Sequence, residues 1–160
     1  MMAEQNQQKR VALIASQGSL DGAYPPLIIA STAVAMDMEV AVFFTFYGLY
    51  ILHKERTKHL KVAPVGNPAM PVPVPNLIGV LPGMTSVATG MMHSWMHKAG
   101  TATIPDLLDA CVEFGVRLIA CQMTMDVLGI KREDLIDGIE LGGAASFLSF
   151  AVDADVSMFM

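Results

Sequence analysis

The sequence has little charge and almost no cysteine. Charged residues make up 16% of its 160 residues, and the formal net charge is −5. This balance argues against a nucleic-acid-binding protein, which needs a basic face to neutralise phosphates. Two cysteines are too few for a disulfide scaffold. The polar N-terminal residues lack the apolar segment of a secretory signal, so we expect a cytoplasmic protein with free thiols.

Apolar residues are the abundant class. They account for 53% of the chain, above the roughly 45–50% that is usual for a soluble domain. The length fits one domain over residues 1–160 with a sizeable core, and the composition excludes disorder for most of the chain. An apolar excess with so few charges also favours a buried subunit interface, so we expect a homo-oligomer.

Short apolar runs alternate with helical patterns along the chain. The runs predict five strands, at 11–15, 40–44, 116–120, 138–141 and 156–159. Helices are predicted at 24–38, where Pro25 and Pro26 would form the first turn, and at 49–54, 84–98, 103–114, 122–128 and 144–151, with a helical turn at 131–136. Continuous apolar strands separated by helices are typical of parallel sheets. The pattern therefore predicts an α/β fold: a single doubly wound domain with a mainly parallel five-stranded sheet and helices on both faces.

The segment 62–92 contains no charged residue and six prolines. A continuous membrane-spanning helix is not expected here, because each interior proline costs about 3 kcal/mol of helix stability. We interpret the segment as a Pro-rich insertion with an extended arm at 71–75 that covers its own domain or a neighbouring subunit. Attachment to a membrane surface is the less favoured alternative.

One cysteine is predicted at the edge of the sheet where ligands bind in open parallel sheets, beyond the carboxyl ends of the strands. Cys121 directly follows the strand 116–120 and precedes a helix, whose positive end favours a thiolate. A buried and inert cysteine is the alternative. The same edge should gather the loops that form the wall of a pocket, with candidate residues Ser16, Gly18, Gly48, Gly142 and Gly143.

Three further side chains could take part in this site. Cys111 lies in the apolar stripe of the helix 103–114, so we expect it to be buried; the alternative is a resolving thiol that pairs transiently with Cys121. His93 and His97 share one face of the helix 84–98 and could line the cysteine pocket or bind a metal. Neither a third ligand nor a zinc-protease motif is visible, so we predict no metal site and no cofactor. An exposed helix at an interface would explain the histidines equally well.

The segment 107–130 resembles the DsrE/DsrF-like sulfur-relay family, in which a cysteine at the end of a strand is followed eight residues later by Gly-Val or Gly-Ile. Cys121, Gly129 and Ile130 match this pattern, and the similarity continues at 42–49, 139–145 and 154–156. The chain is most similar to the DsrE-like branch described as sulfurtransferases or peroxiredoxin-like proteins. Leu118-Ile119-Ala120 lacks the threonine of a peroxidatic site, which argues against the second description.

The resemblance implies a five-stranded α/β sandwich that assembles into oligomers. It also implies that Cys121 accepts sulfane sulfur, as a persulfide or a thiosulfonate, and passes it to a partner thiol. Sulfur donor and acceptor proteins would then be the partners. We therefore predict a cytoplasmic sulfur carrier or sulfurtransferase. The alternatives are a non-catalytic oligomeric protein that binds a metal or a small ligand, and a thiol redox enzyme.

Overall fold

The computed structural model describes residues 8–63 and 81–160. Within them, strands and helices follow one another as β1 (Arg10–Ala15), α1 (Leu20–Ala35), β2 (Glu39–Phe44), α2 (Met84–Lys98), α3 (Ile104–Glu113), β3 (Arg117–Cys121), α4 (Gln122–Leu128), β4 (Glu140–Gly142), α5 (Ala144–Ala151) and β5 (Val156–Phe159). Short 3₁₀ helices cover Phe46–Ile51, Arg56–His59 and Arg132–Asp134. The arm predicted at 71–75, and most of the predicted insertion, lie outside the described residues.

The five strands form one sheet in the order β4-β3-β2-β1-β5. Every pair of neighbouring strands is parallel. The predicted α/β fold with a five-stranded sheet is therefore confirmed. Because the strands run in the same direction, their carboxyl ends lie along a single edge, and the loops that follow them are gathered there.

The two faces of the sheet pack against different helices. Successive strand residues point to opposite faces. Residues such as Leu13, Val42 and Leu118 belong to the larger core cluster, which contains buried residues of α1 and α3. On the other face Phe43 belongs to a smaller cluster with residues of α5, and its ring stacks on that of Phe147 at 5.3 Å. Helices cover both faces, as predicted.

The first helix begins earlier than predicted. Ser19 is its N-cap, and the Ser19 hydroxyl accepts a hydrogen bond from the Gly22 N–H at 3.2 Å. Pro25 and Pro26 consequently lie inside α1 instead of in its first turn. The expected start at Tyr24 was wrong because the hydroxyl cap, and not the prolines, determines where the helix begins.

Other elements differ from the predictions at their ends. The helix expected at 49–54 is the 3₁₀ helix Phe46–Ile51, and β4 ends at Gly142 instead of Leu141. A capping box begins α3: the Thr103 hydroxyl accepts from the Asp106 N–H, and the Asp106 carboxylate accepts from the Thr103 N–H at 3.1 Å. No helix in the described part of the chain is both long and apolar enough to cross a membrane.

Candidate functional site

Cys121 lies where β3 becomes α4. It is the last residue of the strand and the N-cap of the helix, with φ −70° and ψ 111°. Its side chain belongs to the smaller core cluster, on the face covered by α5, and 5% of the residue is exposed. The thiol is thus mostly covered, at the carboxyl edge of the sheet, where the sequence predicted it.

A glycine lies beside Cys121 on one neighbouring strand. Gly142 of β4 is the register partner of Cys121. A Cβ atom at Gly142 would stand 3.0 Å from Ile119 Cγ2 and 3.2 Å from Ser146 Cβ. This tight packing lets α5 begin immediately after β4, so that the first turn of α5 lies next to the cysteine.

Two helices therefore begin around the thiol. Cys121 is the N-cap of α4, and Gly143 is the N-cap of α5. Neither helix has a side-chain cap or an acidic residue in its first turn. The first N–H groups of a helix have no partner within it, and they carry a partial positive charge. Both helix ends therefore bring partial positive charge to the carboxyl edge of the sheet, where Cys121 lies.

The other neighbour of β3 in the sheet is β2, and the threonine that follows β2 contacts a hydroxyl of α4. Thr45, which follows β2, lies 3.2 Å through its Oγ1 from the Oγ1 of the buried Thr124. The Thr124 hydroxyl also accepts a hydrogen bond from the Phe46 N–H at 3.2 Å. Phe46 has φ +46°, a left-handed conformation that is rare for a bulky residue. The contact fixes the end of β2 against the helix that begins at the cysteine.

Sequence reasoning missed Thr45, Thr124 and the conformation of Phe46. Thr124 stands three residues after Cys121, one turn into α4, and Thr45 directly follows a buried strand. Two threonines in these positions were the available signal. Their pairing, however, joins residues 79 apart in the chain, and local patterns do not show such contacts.

Three of the predicted pocket residues do gather at the carboxyl edge. Ser16 donates through its hydroxyl to the Met160 carbonyl at 2.9 Å, and its own carbonyl accepts from the Gly48 N–H at 3.1 Å. A Cβ atom at Gly48 would stand 2.1 Å from the Ala15 carbonyl oxygen, so only glycine allows this approach. A Cβ atom at Gly18 would likewise stand 2.3 Å from the Tyr47 carbonyl oxygen. These loops form the edge beyond β1 and β2.

The two histidines lie elsewhere. His93 and His97 are exposed on α2, and the inward-facing Met92 and Met96 of that helix pack against the larger core cluster. Cys121 faces the smaller cluster on the other side of the sheet, so the structure does not bring the histidines to the thiol. Among residues 8–63 and 81–160, no three His, Cys, Asp or Glu side chains are grouped as a metal site would require.

Cys111 differs from Cys121 in the core cluster to which it belongs and in the face of the sheet on which it lies. It is completely buried in the larger cluster, and its Sγ lies 4.0 Å from the Leu27 carbonyl oxygen. Burial raises the pKa of the Cys111 thiol to about 11, because the low-dielectric interior disfavours the thiolate. The expected burial is confirmed. The structure places the two thiols on opposite faces of the sheet and does not bring Cys111 to Cys121 as a resolving partner.

The arginine of β3 is at the strand end away from Cys121. Arg117 and Glu140 form a two-bond ion pair with both N–O distances at 2.9 Å. This hydrogen bonding raises the pKa of Arg117 and lowers that of Glu140. Arg117 also lies over the Phe150 ring at 5.6 Å. Its charge therefore stabilises the amino end of β3 and contributes little at the thiol.

A parallel α/β sheet with one cysteine at its carboxyl edge, between two helix starts, defines a class of small thiol-bearing proteins. Residues 7–159 match the DsrE/DsrF/DrsH-like family. The chain belongs to this family.

The chain is also similar in sequence to two curated proteins and in fold to two solved structures. The chain is 47% identical to "Sulfur carrier protein DsrE2" of Allochromatium vinosum, over 96% of this chain and 99% of that protein. It is 34% identical to the uncharacterized protein YrkE of Bacillus subtilis, over 96% and 98%. The ychN protein from E. coli has a similar fold, with a TM-score of 0.58, 15% identity, and coverage of 96% and 99%. MTH1491 from Methanobacterium thermoautotrophicum has a TM-score of 0.56, 11% identity, and coverage of 96% and 100%.

The different settings of the two thiols predict different reactivity. In the folded protein at pH 8, iodoacetamide should modify Cys121 at least about ten times faster than Cys111, because only the thiolate reacts and Cys111 is held protonated. Peptide mapping by mass spectrometry measures both rates. In denaturant the two rates should become similar. Faster modification of Cys111 in the folded state would contradict the assignment.

Burial of Cys111 also predicts a loss of stability at alkaline pH. Its folded pKa of about 11 lies above the value near 8.5–9 of an unfolded thiol. The unfolded state therefore releases a proton first, and the free energy of unfolding should fall as pH rises from about 9 to 11. Over this window the stability difference between wild type and Cys111→Ala should change by about 2 kcal/mol in favour of the variant. Urea titrations at pH 8, 9, 10 and 11 measure it; an unchanged difference would contradict the raised pKa.

Proposed function

We propose that this chain is a sulfur carrier in which Cys121 accepts sulfane sulfur and passes it to the thiol of a partner protein. The observation that carries the proposal is the position of Cys121, at the end of β3 and between two helix starts. The 47% identity to a protein named a sulfur carrier supports the same role. Ser16, Gly18, Gly48, Gly142 and Gly143 form the surrounding edge in this proposal.

The transfer requires no external oxidant or reductant. The Cys121 thiolate attacks the outer sulfur of a donor persulfide, the bond between the two donor sulfurs breaks, and the donor leaves as a thiolate with the electron pair. The product is a persulfide on Cys121. With tetrathionate, attack on a central sulfur releases thiosulfate and leaves a thiosulfonate on Cys121. Delivery to an acceptor thiolate is the reverse exchange, and such exchange depends on the thiolate fraction and on access.

The surroundings of Cys121 favour exchange with protein thiols over rapid turnover of a small anion. Arg117 is at the opposite end of β3 and is paired with Glu140, so its charge contributes little at the thiol. Apolar side chains near the thiol are exposed: Phe46 at 55% and Met123 at 58%. Exposed apolar groups are typical of surfaces that bind partner proteins. Sulfur donor and acceptor proteins are therefore the proposed partners, in the cytoplasm, where thiols stay reduced.

A second part of the proposal is that the chain assembles with copies of itself. Large apolar residues are exposed on α5, at its C-cap and on β5, among them Leu148 at 60%, Val152 at 78% and Phe159 at 72%. All four residues of β5, an outer strand of the sheet, are exposed. Such an apolar edge is a liability in a monomer, and another copy of the chain would cover it.

Intact-mass spectrometry tests the carrier role. After treatment with polysulfide or tetrathionate, the wild-type protein should gain a sulfur or thiosulfonate adduct that dithiothreitol removes. Cys121→Ser should lose at least about nine tenths of the adduct, because its hydroxyl is a poor nucleophile at neutral pH. Cys111→Ser is the matched control and should keep the adduct.

The other outcomes of this experiment distinguish the alternatives. An adduct that survives Cys121→Ser and disappears with Cys111→Ser would show that Cys111, and not Cys121, accepts the sulfur. Peroxide consumption without any adduct would favour a thiol redox enzyme. Stoichiometric metal that co-purifies with the protein and is lost in His93→Ala would favour a metal-binding protein.

Sedimentation velocity tests the proposed self-association. The wild-type protein should sediment as an oligomer, and Val152→Glu together with Phe159→Glu should shift it to the monomer, because both changes place charges in the apolar interface. Phe114→Glu is the matched control: Phe114 is also exposed, at 62%, but lies at the end of α3 on the other side of the sheet. A monomeric wild type, or equal dissociation by the control, would contradict the interface.

A further inference from the structure

We propose that a cavity beside the β1–α1 loop is a binding site for a small tetrahedral oxyanion, such as phosphate, sulfate or thiosulfate. The cavity has a volume of about 380 Å³. Residues of three segments line it: Gly18 from the loop, Tyr50 from the first 3₁₀ helix, and Glu55, Arg56, His59 and Lys61 from the segment around the second. The proposal is independent of sulfur transfer by Cys121.

The charge distribution of the chain is the first argument. Although the net charge is −5, four of the ten Lys and Arg residues lie within the eight positions 54–61. Two of the four, Arg56 and Lys61, line the cavity together with His59, against a single carboxylate from Glu55. A concave site with more positive than negative side chains concentrates anions.

The contacts of the cationic side chains are the second argument. The Arg56 guanidinium lies over the Tyr50 ring, 4.1 Å from its centre, which orients the group and leaves its N–H edges available. Among the described residues, neither Arg56 nor Lys61 has a carboxylate oxygen within 4.0 Å of its charged nitrogens, whereas Lys58 contacts Glu55 at 4.0 Å. The cavity thus holds two cations whose charges are not neutralised within the described structure.

The backbone holds this arrangement in place. The Lys61 carbonyl accepts a hydrogen bond from the Leu20 N–H at 2.8 Å, which ties the segment to the start of α1. Asp21, the acidic residue in the first turn of α1, accepts from the Ala63 N–H at 3.0 Å. The cavity wall is therefore tied to the start of α1 at Lys61 and at Ala63.

The chemistry of the lining indicates the ligand class. A planar guanidinium and a flexible ammonium are the groups that bind the oxygens of phosphate and sulfate. Leu60 belongs to the larger core cluster and Tyr50 packs against it, whereas Cys121 belongs to the smaller cluster on the opposite face. We therefore propose that an oxyanion in this cavity acts as a ligand and not as a sulfur donor.

Isothermal titration calorimetry at low ionic strength tests the site with three probes: sodium phosphate, sodium sulfate and sodium thiosulfate. We expect saturable binding of at least one probe to the wild-type protein. Arg56→Ala and Lys61→Ala should each weaken it at least about fivefold, since each removes a charge-assisted hydrogen bond. Lys58→Ala is the matched control, because it removes an equal charge from the same segment outside the cavity lining, and it should change affinity by less than about twofold.

A gain-of-affinity variant gives a second check. Glu55→Gln removes the one carboxylate of the lining and should tighten binding about two- to threefold, because a like-charge repulsion disappears. Circular dichroism confirms that each variant is folded. Absence of saturable binding for all three probes would overturn the proposal. So would a loss in Lys58→Ala equal to that in Lys61→Ala, because it would indicate general charge attraction.

Discussion

The structure depends on the parallel pairing of β3 with its two neighbours. Within β3, Leu118 and Ala120 face the larger core cluster, and Ile119 and Cys121 face the smaller one. A shift of one residue in the register would exchange these faces and turn Cys121 away from α5. The pairing of Cys121 with Gly142 also requires a residue without a side chain at the second position. The register of β3, the glycine at position 142 and the orientation of the Cys121 thiol therefore depend on one another.

Both cysteines are buried, and their positions relative to the sheet separate them: Cys111 packs in the larger cluster and Cys121 in the smaller one, at the end of β3. Cys111 is enclosed by the larger core, where its neutral form is favoured and it acts as a small apolar side chain. Cys121 is also mostly covered, but it stands at a strand end where two helices begin without a side-chain cap. The same side chain is thus a packing element in one place and a candidate carrier of sulfur in the other.

The sequence allowed the sheet, α2 and the place of Cys121 to be predicted, because these depend on apolar runs and on local helix signals. The predicted start of α1 was wrong because the helix begins after the hydroxyl cap of Ser19 and not at the two prolines. The contact between Thr45 and Thr124 and the left-handed Phe46 could not be predicted, because both arise from chain segments that meet only in the folded state. The separation of His93 and His97 from Cys121 likewise depends on which side of the sheet α2 packs.

The position of β5 at the outer edge next to β1 has a consequence for the synthesis of the chain. The Arg10 N–H donates to the Asp155 carboxylate, a contact between residues 145 apart, and β1 pairs with β2 on its other side. While the ribosome is still making the residues before β5, β1 has one unpaired edge, and this edge can be closed only after β5 has been synthesised. Pairing over such distances is slow. An open strand edge favours aggregation, so the nascent polypeptide is exposed to this risk until β5 has left the exit tunnel.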